Sequence, residues 1–126
     1  LLLLSAAEIT AVPTFLQEAA VTALKTDPTP MREVYKTRRE YVCRRLREMG
    51  LSFPEPEGAF YVFVDIRKFG IDSGTFCTRM IKEGKVAAVP GSCFGAEGYI
   101  RLSYCYSDEE LKKGLDRMKA FIRTLD

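Results

Sequence analysis

Histidine is missing altogether from the 126 residues, so a zinc site would have to be assembled from cysteine and carboxylate alone. The cysteines do not supply one. Cys43, Cys77, Cys93 and Cys105 include no CxxC pair and lie far apart, a spacing that reads as scattered reduced thiols of a cytoplasmic protein and not as a disulfide framework. No metal is expected. Any apolar run of membrane length is also missing. Leu1-Leu2-Leu3-Leu4 has no basic flank before it and meets Glu8 soon after, which is too short for a bilayer span or a signal core. It reads as one helix turn cut from a larger apolar surface of a longer chain. Nor is there an excess of charge: 19 Lys+Arg against 17 Asp+Glu leave a net +2, a field too weak to demand nucleic acid or an anionic membrane as partner. The glycines of Pro90-Gly91-Ser92-Cys93-Phe94-Gly95-Ala96-Glu97-Gly98 match neither GxGxxG nor GK[ST], and a strand-like run follows them where a phosphate site needs a helix. They read as a structural loop permitting positive φ.

What is present is ordinary globular composition, 47% hydrophobic and 29% charged, at a length that supports one buried core. From Pro13 to Lys25, Phe15, Leu16, Ala19, Ala20, Ala23 and Leu24 fall at helical spacing, predicting a buried, small-residue helix. Asp27-Pro28-Thr29-Pro30 breaks it, with Asp27 or Thr29 available to cap a second helix to about Met49 along the stripe Met31, Val34, Tyr35, Val42, Leu46 and Met49. Gly50 is a natural stop. After the extended segment from Phe53 to Gly58, Ala59 to Ile66 predicts a strand with both faces half buried. Asp72 and Ser73 suit the start of a helix to Glu83 with Phe76, Met80 and Ile81 in its core. Val86 to Val89 and Tyr99 to Tyr104 predict two further strands, able to pair antiparallel around the Gly91 to Gly98 loop. Ser107 and Glu110 form a capping box for a last helix to about Leu125, with Leu111, Leu115, Met118 and Ile122 as its stripe and Phe121 beside it. The expected fold class is α/β, a small two- to three-stranded, largely antiparallel sheet packed with helices.

Two charged features compete for a function. The arginines Arg38, Arg39, Arg44, Arg45 and Arg47 are interleaved with Glu33, Glu40 and Glu48; this predicts a solvated helix face with i,i+4 pairs such as Glu40 with Arg44, not a nucleic-acid surface. Arg101 differs. It is the single charge in Tyr99-Ile100-Arg101-Leu102-Ser103-Tyr104, and a guanidinium that cannot be deprotonated requires an anion if its strand is buried. Its face of the strand carries Tyr99, Ser103 and Cys105, opposite Ile100, Leu102 and Tyr104. Two readings stand side by side: a structural ion pair with Asp65 or another carboxylate, and a bidentate site for a ligand carboxylate.

Three ordered motifs add to this reading: Pro56-Glu57-Gly58-Ala59-Phe60-Tyr61-Val62-Phe63, Val86-Ala87-Ala88-Val89-Pro90-Gly91-Ser92-Cys93-Phe94-Gly95, and Gly98-Tyr99-Ile100-Arg101-Leu102-Ser103-Tyr104. With Gln17-Glu18-Ala19-Ala20 in the first helix, they closely resemble the C-terminal part of class I/II aminotransferases, the fold type I enzymes of the aspartate aminotransferase superfamily that use pyridoxal 5′-phosphate. The resemblance implies the small-domain fold of that family over residues 28–126, with 1–27 a remnant of the large pyridoxal-phosphate domain including a helix. It implies that Arg101 grips the α-carboxylate of an amino acid in an exchange with a 2-oxo acid. It also implies a mobile small domain and a cytoplasmic homodimer with neither nucleic-acid nor membrane partners. The lysine, arginine, aspartate and tyrosine that hold the cofactor in the family have no counterpart motif here. The eight lysines (Lys25, Lys36, Lys68, Lys82, Lys85, Lys112, Lys113 and Lys119) lack that context. No catalytic or cofactor-binding residue is therefore assigned. The isolated chain is expected to be inactive, to bind no pyridoxal phosphate, and to self-associate through Leu1 to Leu4 and Ala19 to Leu24. The Gly95 to Gly98 loop is shorter than in many members, which leaves the position of Glu97 open. The alternatives are a C–S lyase or synthase of the same fold, which use the same arginine, and a non-catalytic interaction module. Val89-Pro90-Gly91 and Arg101-Leu102-Ser103 favour the transaminase.

Overall fold

The computed structural model describes residues 12–125, and the chain divides into two compact units, Leu1–Arg32 and Glu33–Asp126. The Leu1 to Leu4 run lies outside the described residues. In the first unit, helix α1 spans Thr14–Lys25 and begins just after Pro13, as its sequence predicts. The expectation that it is buried is not met. No residue of α1 is buried, and Phe15 and Leu24 are 71% and 88% exposed. Helical spacing dictates where an apolar stripe lies but not what covers it. Helix α2, Thr29–Glu48, starts where the Asp27 carboxylate accepts the Thr29 N–H at 2.9 Å.

In the second unit α2 contributes Val42, Cys43 and Leu46 to the core. It stops because Gly50 takes φ +67°, which lets the Leu51 N–H reach back to the Leu46 carbonyl at 3.1 Å. Strand β1 is Tyr61–Asp65, shorter than the predicted Ala59 to Ile66. Ala59 turns the chain at φ +57°, and the Tyr104 hydroxyl donates to its carbonyl at 3.1 Å. Helix α3, Ser73–Lys82, begins with Asp72 accepting the Thr75 N–H and buries Ser73, Phe76, Cys77 and Met80. Ile81 was expected in that core but is 49% exposed, because it lies off the stripe those four residues define. Strand β2 is only Val89–Pro90, not Val86 to Val89. Lys85 turns at φ +56° and the Val86 N–H is spent on the Met80 carbonyl at 3.3 Å, so the segment leaves α3 before it can join a ladder. Strand β3 is Tyr99–Ser103. Helix α4, Asp108–Ile122, is capped by Ser107, places three acidic residues in its first turn where the helix dipole favours them, and buries the whole predicted stripe with Phe121.

The sheet has three strands in the order β1-β3-β2, and both pairs are antiparallel, as the sequence led us to expect. β3 is therefore central. One face of the sheet carries Val62, Val64, Ile100 and Leu102 into a core shared with Leu46, Phe76, Met80, Leu115 and Met118. The other face is half buried. The basic face of α2 pairs differently from expectation: Arg44 meets Glu48 at 3.9 Å, with no ion pair to Glu40 among the described residues. Arg38 and Arg45 reach across to Asp108 and Asp116 of α4 at 2.9 and 2.5 Å. Surface pairs of this kind contribute about 0–1 kcal/mol each.

Candidate functional site

Arg101 stands in the middle of the central strand. Its Cα partners are Phe63 on β1 and Val89 on β2, and paired residues project from the same face of an antiparallel sheet. Arg101 therefore emerges on the half-buried face between a phenylalanine and a valine. Diagonal neighbours also come within reach of a long side chain, which brings in Tyr61, two residues before Phe63. The guanidinium carbon lies 4.2 Å from the Tyr61 ring centroid and 4.4 Å from that of Phe94. Phe94 in turn meets Phe63 edge to face at 5.6 Å.

The structural ion pair with Asp65 considered from sequence does not form. The Asp65 carboxylate is taken by its neighbour Arg67, whose Nε lies 3.0 Å from Oδ1 and whose Nη2 lies 2.5 Å from Oδ2, and Arg67 holds Asp65 below the usual carboxylate range. Among the described residues, no carboxylate pairs with Arg101 and no acceptor takes its N–H groups. Aromatic faces attract a cation by about 0.5–2 kcal/mol, but they leave the in-plane N–H fork unused. The arrangement fixes a planar cation and leaves its bidentate edge available for a planar anion.

The loop that delivers Phe94 is built around close backbone approaches. A Cβ on Gly91 would stand 2.1 Å from the Ala96 carbonyl oxygen and 2.5 Å from that of Tyr99, so only glycine fits. Glu97, whose position the sequence left open, folds back onto the start of α3. Its carboxylate accepts the Ser73 N–H at 2.7 Å, the Ser73 hydroxyl at 2.9 Å and the Gly98 N–H at 2.9 Å. These bonds, from the Ser73 backbone first, hold Glu97 below its ordinary pKa. Ser73 Oγ also accepts the Ser92 N–H at 3.3 Å. A cavity of about 340 Å³ opens beside Arg101, between the segment leading into β2, β3 and α4, with Tyr61, Ala87, Val89, Ser103 and Gly114 in its lining. That volume is at the small end of ligand sites.

Arg101 is the one site residue that the sequence singled out. Tyr61, Ser73 and Glu97 are not assigned to the site by the sequence. The alternation of β1 contains the signal for Tyr61, since it puts Tyr61 and Phe63 on one face; which face meets Arg101 follows from strand pairing alone.

The family model described as aminotransferase class I and II matches residues 2–118. The chain is 43% identical over 113 residues to an aspartate aminotransferase of Thermotoga maritima, covering 90% of this chain and 29% of the relative. It is 44% identical over 117 residues to aromatic-amino-acid aminotransferase 2 of Thermococcus litoralis, covering 87% and 30%. The crystal structure of the Thermotoga maritima aspartate aminotransferase superposes with a TM-score of 0.84 at 43% identity, over 90% of this chain and 29% of that one. The chain thus spans just under a third of the length of these relatives.

Proposed function

The chain belongs to the class I and II aminotransferase family, and on that premise we propose that it is the C-terminal part of an aminotransferase in which Arg101 binds the substrate α-carboxylate. The observation that carries the proposal is the guanidinium of Arg101, fixed against Tyr61 and Phe94 and paired with no carboxylate among the described residues. We assign 28–126 to the small domain and 1–27 to the edge of the large one. The exposed stripe of α1, with Phe15 and Leu24, supports that assignment, because in the whole enzyme it would be covered by the large domain or by a second copy in a homodimer.

Family membership implies pyridoxal 5′-phosphate as the cofactor of the intact enzyme. The donors of this chain do not fit it. Lys85 and Lys113 line the cavity beside Arg101, but Lys85 Nζ donates to the Lys82 carbonyl at 2.8 Å and Lys113 Nζ pairs with Glu110 at 3.5 Å. Neither is held in the dry pocket that would make an amine nucleophilic. The contribution of this chain is to bind and orient. Two parallel charge-assisted bonds from Arg101 to a carboxylate remove rotation about the carboxylate axis, and so direct the Cα–H of an amino acid toward one side of the site. Closure of the small domain on the substrate would exclude water from that site. Four free cysteines support a cytoplasmic setting. No described helix is long and apolar enough to cross a membrane.

The test is a transamination assay on the whole protein carrying this segment, supplied with pyridoxal phosphate and a panel of amino acids with 2-oxo acids. Amino-group exchange is the expected result. Elimination of a thiol or ammonia without exchange would replace the proposal with the lyase reading, and no turnover with any pair would replace it with the interaction module.

A further inference from the structure

We infer that Glu97 and Ser73 are a positioning pair that holds the Arg101 anchor in its binding geometry through the loop bearing Phe94, an inference that rests on the reading of Arg101 above. Ser73 is the only buried polar residue in the described core and is 0% exposed. A hydroxyl so placed must be fully bonded, and it is: it donates to Glu97 and accepts from Ser92. The role is more than helix capping. Asp72 already caps α3 through the Thr75 N–H at 2.9 Å, and a second carboxylate at the same end is repelled by the first. What Glu97 adds is a link from the α3 terminus to both ends of the loop. Through Ser73 Oγ it reaches the Ser92 N–H, and directly it reaches the Gly98 N–H, next to the first residue of β3.

Between those two ends sits Phe94, which is 46% exposed. Burial does not fix an aromatic ring that is half in solvent, so its stand 4.4 Å from the guanidinium depends on where the loop backbone is held. Glu97 and Ser73 hold that backbone to a helix whose own core, Phe76 and Met80, is fully buried. A glutamine at position 97 keeps the length of the side chain and can keep both amide bonds on Oε1, but its Nε2 can only donate to Ser73 Oγ, so the negative charge is lost and the buried Ser73 hydroxyl is left without its acceptor.

The experiment follows the Arg101 Nε–Hε cross-peak in ¹⁵N–¹H spectra of the 126-residue protein, assigned by its loss in Arg101→Gln, with and without sodium acetate as the carboxylate probe. In the wild type the resonance carries ring shifts from Tyr61 and Phe94 and moves saturably with acetate. Glu97→Gln and Ser73→Ala are each expected to shift the free resonance toward those of exposed arginines and to weaken acetate binding roughly 3- to 10-fold. Glu83→Gln, which removes only the exposed partner of Arg79, is expected to do neither. Should Glu97→Gln fail to fold, Ser73→Ala decides alone, since it keeps the carboxylate on the Ser73 and Gly98 amides. Acetate dependence in the wild type with unchanged peaks in both variants overturns the positioning pair and leaves the anchor standing. An equal shift in Glu83→Gln also overturns it, as a general loss of stability. A wild-type Arg101 peak indifferent to acetate overturns the anchor itself, and the pair with it.

Discussion

Replacing Arg101 with glutamine separates a binding arginine from a structural one. In the structure the side chain is in contact with two aromatic rings and with no carboxylate among the described residues. The substitution therefore removes two cation–π contacts worth about 0.5–1 kcal/mol each, and it also relieves the desolvation of a half-buried cation that pairs with no carboxylate among the described residues. The two effects oppose one another, leaving a net loss of about 1 kcal/mol or less. For a domain of this size that is a fall in Tm of roughly 3–5 °C at most. A structural ion pair broken by the same substitution would cost about 3–5 kcal/mol, a fall of more than 10 °C. Function responds on another scale. Two hydrogen bonds to a charged group contribute about 1.5–3 kcal/mol each, so kcat/KM for the amino acid in the whole protein is expected to drop roughly 10²- to 10⁴-fold. Circular dichroism on the chain and steady-state kinetics on the whole protein read the two quantities independently. A variant that melts more than 10 °C lower, or that keeps kcat/KM within a factor of three, would refute the reasoning.

Four other outcomes test the rest of the structure. Gly91→Ala drives a methyl group into two carbonyl oxygens of the backbone and is expected to lose about 3 kcal/mol or more of stability in urea unfolding; a loss under 1 kcal/mol would mean the loop has room the structure denies it. With a thiol reagent at pH 8, exposed Cys93 and Cys105 should react at once. Cys77, its thiol pushed up to about 11 by burial, and buried Cys43 should react only on unfolding, and four fast equivalents would contradict the core. Asp72 and Glu97, held below the usual range by the backbone amides of Thr75 and Ser73, and Asp65 and Asp116, held there by Arg67 and Arg45, have folded pKa values below their unfolded ones. Their contribution is complete above about pH 4.5 and is lost as pH falls through the folded values, so a urea midpoint that stays level down to pH 2 would count against them. Finally, the open stripe of α1 predicts concentration-dependent association of the isolated chain, and sedimentation as a single monomer at high concentration would speak against it.

Local chemistry was legible wherever neighbours in sequence are neighbours in space. Ser107, Asp72 and Gly50 stop or start helices through bonds that reach three to five residues, so their roles can be read from residue type and offset. The stripe of α4 was equally plain, because a helix repeats every 3.6 residues whatever it packs against. The errors fall where a contact over a longer distance decides. The truncation of β1 turns on Ala59, whose carbonyl is held by Tyr104 far along the chain. The shortness of β2 turns on Val86 being kept by the end of α3. The exposure of α1 shows that an apolar stripe specifies a demand for cover without specifying the cover.

Arg101 divides in the same way. By itself the sequence determined that a permanently charged side chain stands in an otherwise uncharged strand, and that its motif neighbours resemble those of a carboxylate anchor. It left the choice between Asp65 and a ligand open, because sequence does not say which of two cations a carboxylate will reach. Tertiary structure removed Asp65 from that choice: Arg67, two residues away, makes a bidentate pair with it at a lower cost in order than a partner across the sheet. Strand pairing and loop placement then bring Tyr61 and Phe94 against Arg101, and leave its hydrogen-bonding edge without an acceptor among the described residues.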